Sequence, residues 1–126
     1  MILYLCGPIN GCTDDEACTW RDWFNRQRFP CIDPMDRDYR GKEAESYREI
    51  VDLDKKDVRD CDVVVVMYTQ PSVGTSMEVF YAWTLGKPVI VIDESSKPIS
   101  PWLRYHSTAI VKSKEEALAK LEKWNG

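Results

Sequence analysis

The sequence has few histidines and no long apolar run, and these shortages exclude several classes of protein. One histidine among 126 residues, with five cysteines that include no C-x-x-C pair, makes a poor set of zinc ligands, so we expect no metal site. No apolar stretch approaches the ~20 residues that span a bilayer, so we expect no membrane segment. A net charge of −4 argues against a nucleic-acid partner.

Familiar nucleotide-binding and catalytic motifs are missing as well. The P-loop spacing G-x-x-x-x-G-K-[ST] does not occur, and "GPING" does not fit the dinucleotide fingerprint G-x-G-x-x-G. Only His106 could serve as the base of a Ser–His–Asp triad, and we expect it at the surface or in an interface. We therefore predict no cofactor, and we expect any chemistry to come from carboxylates supported by Tyr or Ser side chains.

Composition and cysteine usage indicate a globular protein of the cytoplasm. The sequence is 44% hydrophobic and 30% charged, which is typical of a folded domain, and we predict a single domain over residues 1–126. An odd number of cysteines favours reduced thiols and a cytoplasmic location. The first residues form an apolar, strand-like run without a basic region or cleavage site, so we expect no secretion signal.

Five short apolar, β-branched runs alternate with helical patterns along the chain. The strongest run, "DVVVVMY", has four consecutive valines, which favour a strand covered on both faces. The alternation predicts an α/β fold with a doubly wound (flavodoxin- or Rossmann-like), five-stranded, mostly parallel sheet in the order 2-1-3-4-5 and helices on both faces. Ligands bind beyond the carboxyl ends of such strands, so we expect the site where "GPINGC" meets "TQPSVG".

Glu78 lies in a helix that is apolar almost all round, and it shares a face with Ala82 and Leu85. Such a helix is either central in the fold or shared with a partner subunit. A carboxylate in these surroundings costs several kcal/mol unless it is paired or functional. Stabilisation of the helix dipole is the alternative role for Glu78.

Asp54 also occupies a position where an apolar residue is expected. With Tyr47, Val51 and Val58 it forms a single stripe, which we predict to face inward. The pattern leaves a functional acid and a satisfied structural acid equally open for Asp54. The neighbouring acids Asp52, Asp57 and Asp60 are expected to be surface charges.

The loop "QPSVG" precedes a helix that we expect to begin near Thr75. Ser72 offers a hydroxyl, Gly74 offers flexibility, and a helix N-terminus can bind an anion such as phosphate. A plain tight turn would use the same residues. Two carboxylates, one nucleophile and one acid, are what cleavage of a glycosidic bond requires.

"YLCGPING", then Asp54 ahead of "CDVVVV", then "GTSMEVFYAWTLGKPV" together resemble the nucleoside 2-deoxyribosyltransferase superfamily over nearly the whole chain. The resemblance implies that Glu78 attacks the anomeric carbon of the sugar, that Tyr4 orients Glu78, and that Asp54 handles the departing base. Water or a second base then resolves the glycosyl-enzyme intermediate.

Ser72 stands where family members acting on free nucleosides usually carry an aspartate that grips the 5′-hydroxyl. A serine hydroxyl can donate to a phosphate, so the chain resembles more closely the branch that hydrolyses nucleoside 5′-monophosphates. The resemblance also implies that Ser107 reaches the phosphate of a neighbouring subunit, in a homodimer or larger homo-oligomer with a shared active site. The remaining substrate-binding positions that it implies are Gly7, Ile9, Asn10, Gly11 and Gly74.

We therefore predict an enzyme that hydrolyses the N-glycosidic bond of a (deoxy)nucleoside 5′-monophosphate, giving free base and (deoxy)ribose 5-phosphate. One alternative is a transferase that exchanges bases between deoxynucleosides through the same intermediate. A second is a non-catalytic module that binds a nucleotide on the same fold.

Overall fold

A computed structural model describes residues 1–125, and Gly126, the last residue of the predicted domain, lies outside the described residues. One sheet is formed by β1 (Leu3–Cys6), β2 (Cys31–Ile32), β3 (Val63–Tyr68), β4 (Val89–Asp93) and β5 (Ala109–Val111). The strand order is β2-β1-β3-β4-β5, and all four pairings are parallel. The predicted doubly wound fold and its strand order are confirmed.

The helices are α1 (Asp14–Asn25), α2 (Glu43–Asp60), α3 (Val73–Thr84), α4 (Pro101–Tyr105) and α5 (Lys114–Asn125), with a 3-10 turn at Pro34–Asp36. A capping box begins α1, because Thr13 and Glu16 each accept the other's backbone N–H. Helix α3 begins two residues earlier than predicted, since Ser72 caps it by accepting from the Thr75 N–H at 3.4 Å. Within residues 1–125, none of the helices has both the length and the hydropathy to cross a membrane.

Alternation along β1 sends its side chains into two separate cores. The core on the side of α1 and α5 includes Leu3, Leu5, Trp20, Phe24 and Leu121. The core on the side of α2 and α3 includes Tyr4, Cys6, Val58, Val79 and Ala82. Tyr4 and Cys6 therefore point toward the two helices that carry the candidate carboxylates.

The prediction that one stripe of α2 faces inward is wrong for the N-terminal half of the helix. Tyr47 and Val51 are 54% and 47% exposed, whereas Val58 is fully buried. The 18 residues of α2 extend ~27 Å at 1.5 Å per residue, while the six residues of β3 extend only ~20 Å. The N-terminal half of α2 therefore runs past the carboxyl edge of the sheet, where no strand covers it.

Candidate active site

Glu78 lies where the loops after β1 and β3 meet at the carboxyl edge of the sheet. These two strands pair in parallel register, with Tyr4 opposite Val64 and Cys6 opposite Val66, so both loops leave the same edge. The Glu78 side chain turns back along α3, and its Oε1 lies 4.0 Å from the position that a Cβ would take on Gly74. The Tyr4 hydroxyl and the Cys6 thiol lie close enough to its carboxylate to lower its pKa, and the thiol itself donates to the Thr75 carbonyl oxygen at 4.0 Å.

The pKa of the Glu78 carboxyl is raised from its ordinary value to about 7. Loss of water around the carboxylate is the main cause, and the negative charge of Asp54 adds to it. Hydrogen bonding from Tyr4 and Cys6 and the positive charge of Arg21 offset part of the increase. A carboxyl that titrates near neutrality in a protected site is suited to nucleophilic or acid–base chemistry.

Asp54 on α2 is the second acid of the site. Burial raises the pKa of its carboxyl to about 6, although the positive charge of Arg37 opposes the shift. Its side chain is 22% exposed, so it is neither a core residue nor a free surface charge. The negative charge of Asp54 raises the pKa of Glu78, and with both pKa values near neutrality the two carboxyls are suited to the roles of acid and nucleophile.

Tyr4 completes the group of side chains around Glu78. It is fully buried, and burial together with the negative charge of Glu78 raises the pKa of its phenol well above the ordinary value. The phenol therefore keeps its proton and can donate a hydrogen bond to the Glu78 carboxylate. The structure thus brings together Glu78, Asp54 and Tyr4, the three residues predicted to be catalytic.

The loop before α3 places Ser72 and Gly74 at the first turn of the helix, close to Glu78. The Ser72 hydroxyl accepts from the Thr75 N–H, which leaves its own proton free to be donated. Gly74 is exposed, so the side of the turn that holds Glu78 Oε1 carries no side chain. The first helical N–H groups point in the same direction as the helix dipole and favour an anion there.

The loop after β1 holds three of the predicted substrate-binding positions, Ile9, Asn10 and Gly11, in a tight turn. The Cys12 N–H donates to the Ile9 carbonyl at 3.0 Å, while Asn10 and Gly11 are exposed. Gly11 has a φ of 75°, in the left-handed region that favours glycine.

Gly7, at the start of the same loop, has a clear packing role. A Cβ on Gly7 would lie 3.0 Å from the Trp20 ring and 3.1 Å from the Met67 carbonyl oxygen. A side chain here would have to displace the Trp20 ring and the Met67 backbone by a few tenths of an ångström, so the packing favours glycine at this position whatever contact it makes with a substrate.

Ser107, the predicted phosphate ligand that follows α4, does not join the other site residues within one chain. Its hydroxyl donates to the Leu103 carbonyl oxygen at 2.5 Å. No hydrogen bond within residues 1–125 connects Ser107 to Glu78 or Ser72. Its predicted role therefore depends on a second copy of the chain.

Arg21 is a buried cation beneath the site that sequence reasoning missed. It is fully buried, and it donates to the carbonyl oxygens of Leu5 at 3.3 Å, Ala17 at 2.6 Å and Gly7 at 3.1 Å. Its Nε also lies 3.7 Å from Asp33 Oδ1, just after β2. Arg21 thus ties the end of β1 to α1 and to the next loop. The signal was available, since Arg21 follows Ala17 by four residues on the buried face of α1.

Arg37 and Asp57 form an ion pair that was also missed. Arg37 Nη2 donates to Asp57 Oδ2 at 2.6 Å and lies 3.4 Å from Asp54 Oδ1. Asp57 is only 8% exposed, so the prediction of a surface charge was wrong, because the loop after β2 lies over it. The usable signal was the spacing of three between Asp54 and Asp57, which puts both on one helix face.

Among residues 1–125, no cluster of three His, Cys, Asp or Glu side chains could hold a metal ion.

Comparison with known proteins identifies relatives of the whole described fold. The family model described as "Nucleoside 2-deoxyribosyltransferase" matches residues 3–120. A protein of Mus musculus named 5-hydroxymethyl-dUMP N-hydrolase is 30% identical over 110 residues, which cover 81% of this chain and 64% of that protein. The protein of the same name from Rattus norvegicus is 28% identical over 110 residues, covering 81% and 68%. The chain thus spans about two thirds of the length of these curated relatives.

Solved structures share the fold at low sequence identity. A 2-deoxyribosyltransferase of Bacillus psychrosaccharolyticus has a TM-score of 0.77 at 15% identity, over 93% of this chain and 90% of that one. The CMP N-glycosidase of Clostridium botulinum has a TM-score of 0.59 at 18% identity, over 97% and 99%. The arrangement of strands and helices is therefore common to these proteins.

Proposed function

Because the chain belongs to the nucleoside 2-deoxyribosyltransferase family, we propose that it hydrolyses the N-glycosidic bond of a deoxynucleoside 5′-monophosphate. The observation that carries the proposal is the Glu78 carboxyl, which has lost water around it beside Tyr4 and lies close enough to Asp54 for that negative charge to raise its pKa. The mouse and rat relatives named as N-hydrolases of a deoxynucleoside monophosphate support the choice of reaction and substrate class.

In the first step, a Glu78 carboxylate oxygen forms a bond to the anomeric carbon while the bond from that carbon to the base nitrogen breaks. The reactive form of the site has Glu78 ionised and the proton on Asp54. The electron pair leaves with the base, which takes that proton. Tyr4 donates to Glu78 and thereby fixes the orientation of the attacking carboxylate. The negative charges at the site stabilise the positive charge that develops on the sugar.

In the second step, water hydrolyses the ester between the sugar and Glu78. Asp54, now ionised, accepts a proton from the water as its oxygen bonds to the anomeric carbon and the ester to Glu78 breaks. The products are the free base and deoxyribose 5-phosphate. A second base in place of water would make the same intermediate lead to transfer.

The phosphate is assigned to the first turn of α3. Ser72 keeps a free hydroxyl proton there, and the exposed N-terminal end of α3 favours negative charge. Asn10 and Gly11 lie exposed in the loop after β1, which leaves the same edge of the sheet. This arrangement supports a substrate that carries a 5′-phosphate.

The apolar surface of α3 and α4 is proposed to bind a second copy of the chain. Phe80, Trp83, Trp102 and Tyr105 are 46%, 47%, 73% and 73% exposed, and their rings surround His106 at centroid distances between 4.9 and 5.9 Å. Exposed apolar groups of this extent are uncommon on monomers. The surface leads directly into Ser107, so a second copy bound here is placed to contribute that hydroxyl.

Sedimentation velocity tests the second copy. We expect the unmodified protein to sediment with at least the mass of two chains at micromolar concentration, and Trp83→Glu to shift it toward the mass of one, because a buried carboxylate disfavours the interface. Trp124→Glu is the control, since Trp124 is also exposed, at 42%, but lies on α5. A single-chain mass for the unmodified protein would contradict the proposal.

The proposed reaction is tested by chromatography of the protein incubated with deoxynucleosides and their 5′-monophosphates, including 5-hydroxymethyl-dUMP. Each substrate is run with and without an added free base. We expect free base to be released from monophosphates alone, with no need for an acceptor. New nucleosides formed only with an added base would identify a transferase. Stabilisation by a nucleotide without any turnover would instead indicate a binding module.

A further inference from the structure

Arg37 occupies a position beside Asp54 that the proposed mechanism does not use. The loop after β2 brings it to α2, where Nη2 donates to Asp57 Oδ2 at 2.6 Å and approaches Asp54 Oδ1 to 3.4 Å. The Asp57 side chain is 11% exposed, that of Asp54 22% and that of Arg37 29%. Nη2 is thus held between Asp57 and Asp54, while the Arg37 side chain as a whole is partly exposed to solvent.

Two nitrogens of the Arg37 guanidinium, Nε and Nη1, make no hydrogen bond within residues 1–125. Both side-chain hydrogen bonds that Arg37 makes within residues 1–125 come from Nη2. The N–H groups of Nε and Nη1 therefore remain available, next to an Nη2 whose position Asp57 and Asp54 restrain. A guanidinium in a fixed orientation recognises planar acceptors, and it has no acceptor of its own.

We propose that Arg37 donates to a carbonyl oxygen of the base and selects bases with an oxo group at the 4 position of a pyrimidine, or the 6 position of a purine, over bases with an amino group there. The inference rests on the proposed function, in which Asp54 protonates the departing base. Arg37 adjoins Asp54, so a base placed against Asp54 lies beside the free N–H groups. An oxo group accepts these hydrogen bonds, whereas an amino group would place donor against donor.

The guanidinium charge also favours departure of such a base. As the glycosidic bond breaks, the electron pair that moves onto the base is partly carried by its carbonyl oxygens. A cation held at hydrogen-bonding distance from one of them stabilises that charge in the transition state more than in the substrate. Arg37 should therefore affect kcat/KM for oxo bases more than for amino bases.

The test compares two matched pairs of substrates, dUMP with dCMP and dIMP with dAMP, by base release. For the unmodified protein we expect kcat/KM to favour the oxo member of each pair. In Arg37→Met we expect the oxo-to-amino ratio to fall on the order of 10- to 100-fold, mainly through loss of rate with the oxo member, because a hydrogen bond from a charged donor is lost. Arg40→Met is the control, since Arg40 belongs to the same loop but pairs with Asp14 and Asp38, and its ratio should not change.

The outcomes separate this inference from the proposed function. If Arg37→Met unfolds because Asp57 loses its partner, the double variant Arg37→Met with Asp57→Asn removes the buried charge and gives the same ratio test. An equal loss with all four substrates would overturn the inference, because Arg37 would then serve the phosphate or the fold. A ratio near one in the unmodified protein would overturn it as well. Absence of base release from every monophosphate would instead contradict the proposed function.

Discussion

Replacing Glu78 with glutamine should abolish base release, with a loss in kcat of at least about 1,000-fold, because an amide of the same shape cannot form the ester to the sugar. The measurement is chromatography of free base from the best monophosphate substrate. Glu115→Gln is the matched control, since Glu115 is exposed at the start of α5, and it should keep full activity. Retention of activity by Glu78→Gln would contradict the nucleophilic role.

The same substitution should stabilise the fold at alkaline pH. The pKa of Glu78 is about 7 in the folded chain and about 4.5 when unperturbed, so the folded state holds this proton more tightly. The stability that accompanies the neutral carboxyl is fully present below pH 4.5 and is lost as the pH rises through 7. Glutamine has no charge to bury, so at pH 8 the variant should unfold with a free energy higher by up to about 3 kcal/mol.

Urea denaturation at several pH values measures this effect. We expect the midpoints of Glu78→Gln and the unmodified protein to diverge between pH 5 and pH 8, and to converge at pH 4.5. Glu115→Gln should show no such divergence. Equal stability at pH 8 would mean that the Glu78 carboxylate is well solvated, and it would remove the physical basis for its raised pKa.

Replacing Ser72 with aspartate should convert a site for a phosphate into one that repels it. Aspartate caps a helix as well as serine does, so α3 should still begin at Val73, and the main change is one negative charge at its first turn. Like charges a few ångströms apart near a protein surface repel by several kcal/mol at most, so we expect kcat/KM for monophosphates to fall by about 100-fold or more. The activity on nucleosides without phosphate should change much less.

Ser72→Asn is the control for the charge of this substitution. Asparagine is also a good N-cap, but it is neutral, so it should retain most of the activity on monophosphates. The measurement is the ratio of kcat/KM for a deoxynucleoside 5′-monophosphate to that for its nucleoside. A ratio that does not change in Ser72→Asp would place the phosphate elsewhere.

The strand order and the importance of Glu78 could be predicted from local sequence pattern. Consecutive valines in β3 and the alternation of strands with helices have only one common solution, a parallel sheet with helices on both faces. Glu78 stood out because a carboxylate in an apolar helix conflicts with its surroundings. Such conflicts between local pattern and residue type are expected where function overrides stability.

Local pattern offered signals that Arg21 and Asp57 lie on buried helix faces, but it could not identify their ion-pair partners, which are far apart in the chain. Arg37 and Asp57 are separated by 20 residues, and Arg21 and Asp33 by 12. Nothing local distinguishes Arg37 from the other charged residues of its loop. Only the path of the loop after β2 across α2 decides that Asp57 is buried and that Arg37 lies beside Asp54.

The sequence by itself determined the α/β fold, its strand order and the three acidic and phenolic side chains that meet at the carboxyl edge of the sheet. Periodicity and local composition specify the strands, the helices and the two acids on apolar helix faces, since each depends on neighbours within a few turns of the chain, whereas Tyr4 was indicated by the resemblance to the family. The tertiary structure alone decided that Tyr47 and Val51 are exposed, that Asp57 is buried and that Ser107 lies away from Glu78 within one chain. These depend on element lengths and on contacts between distant segments, which become defined only when the chain has folded.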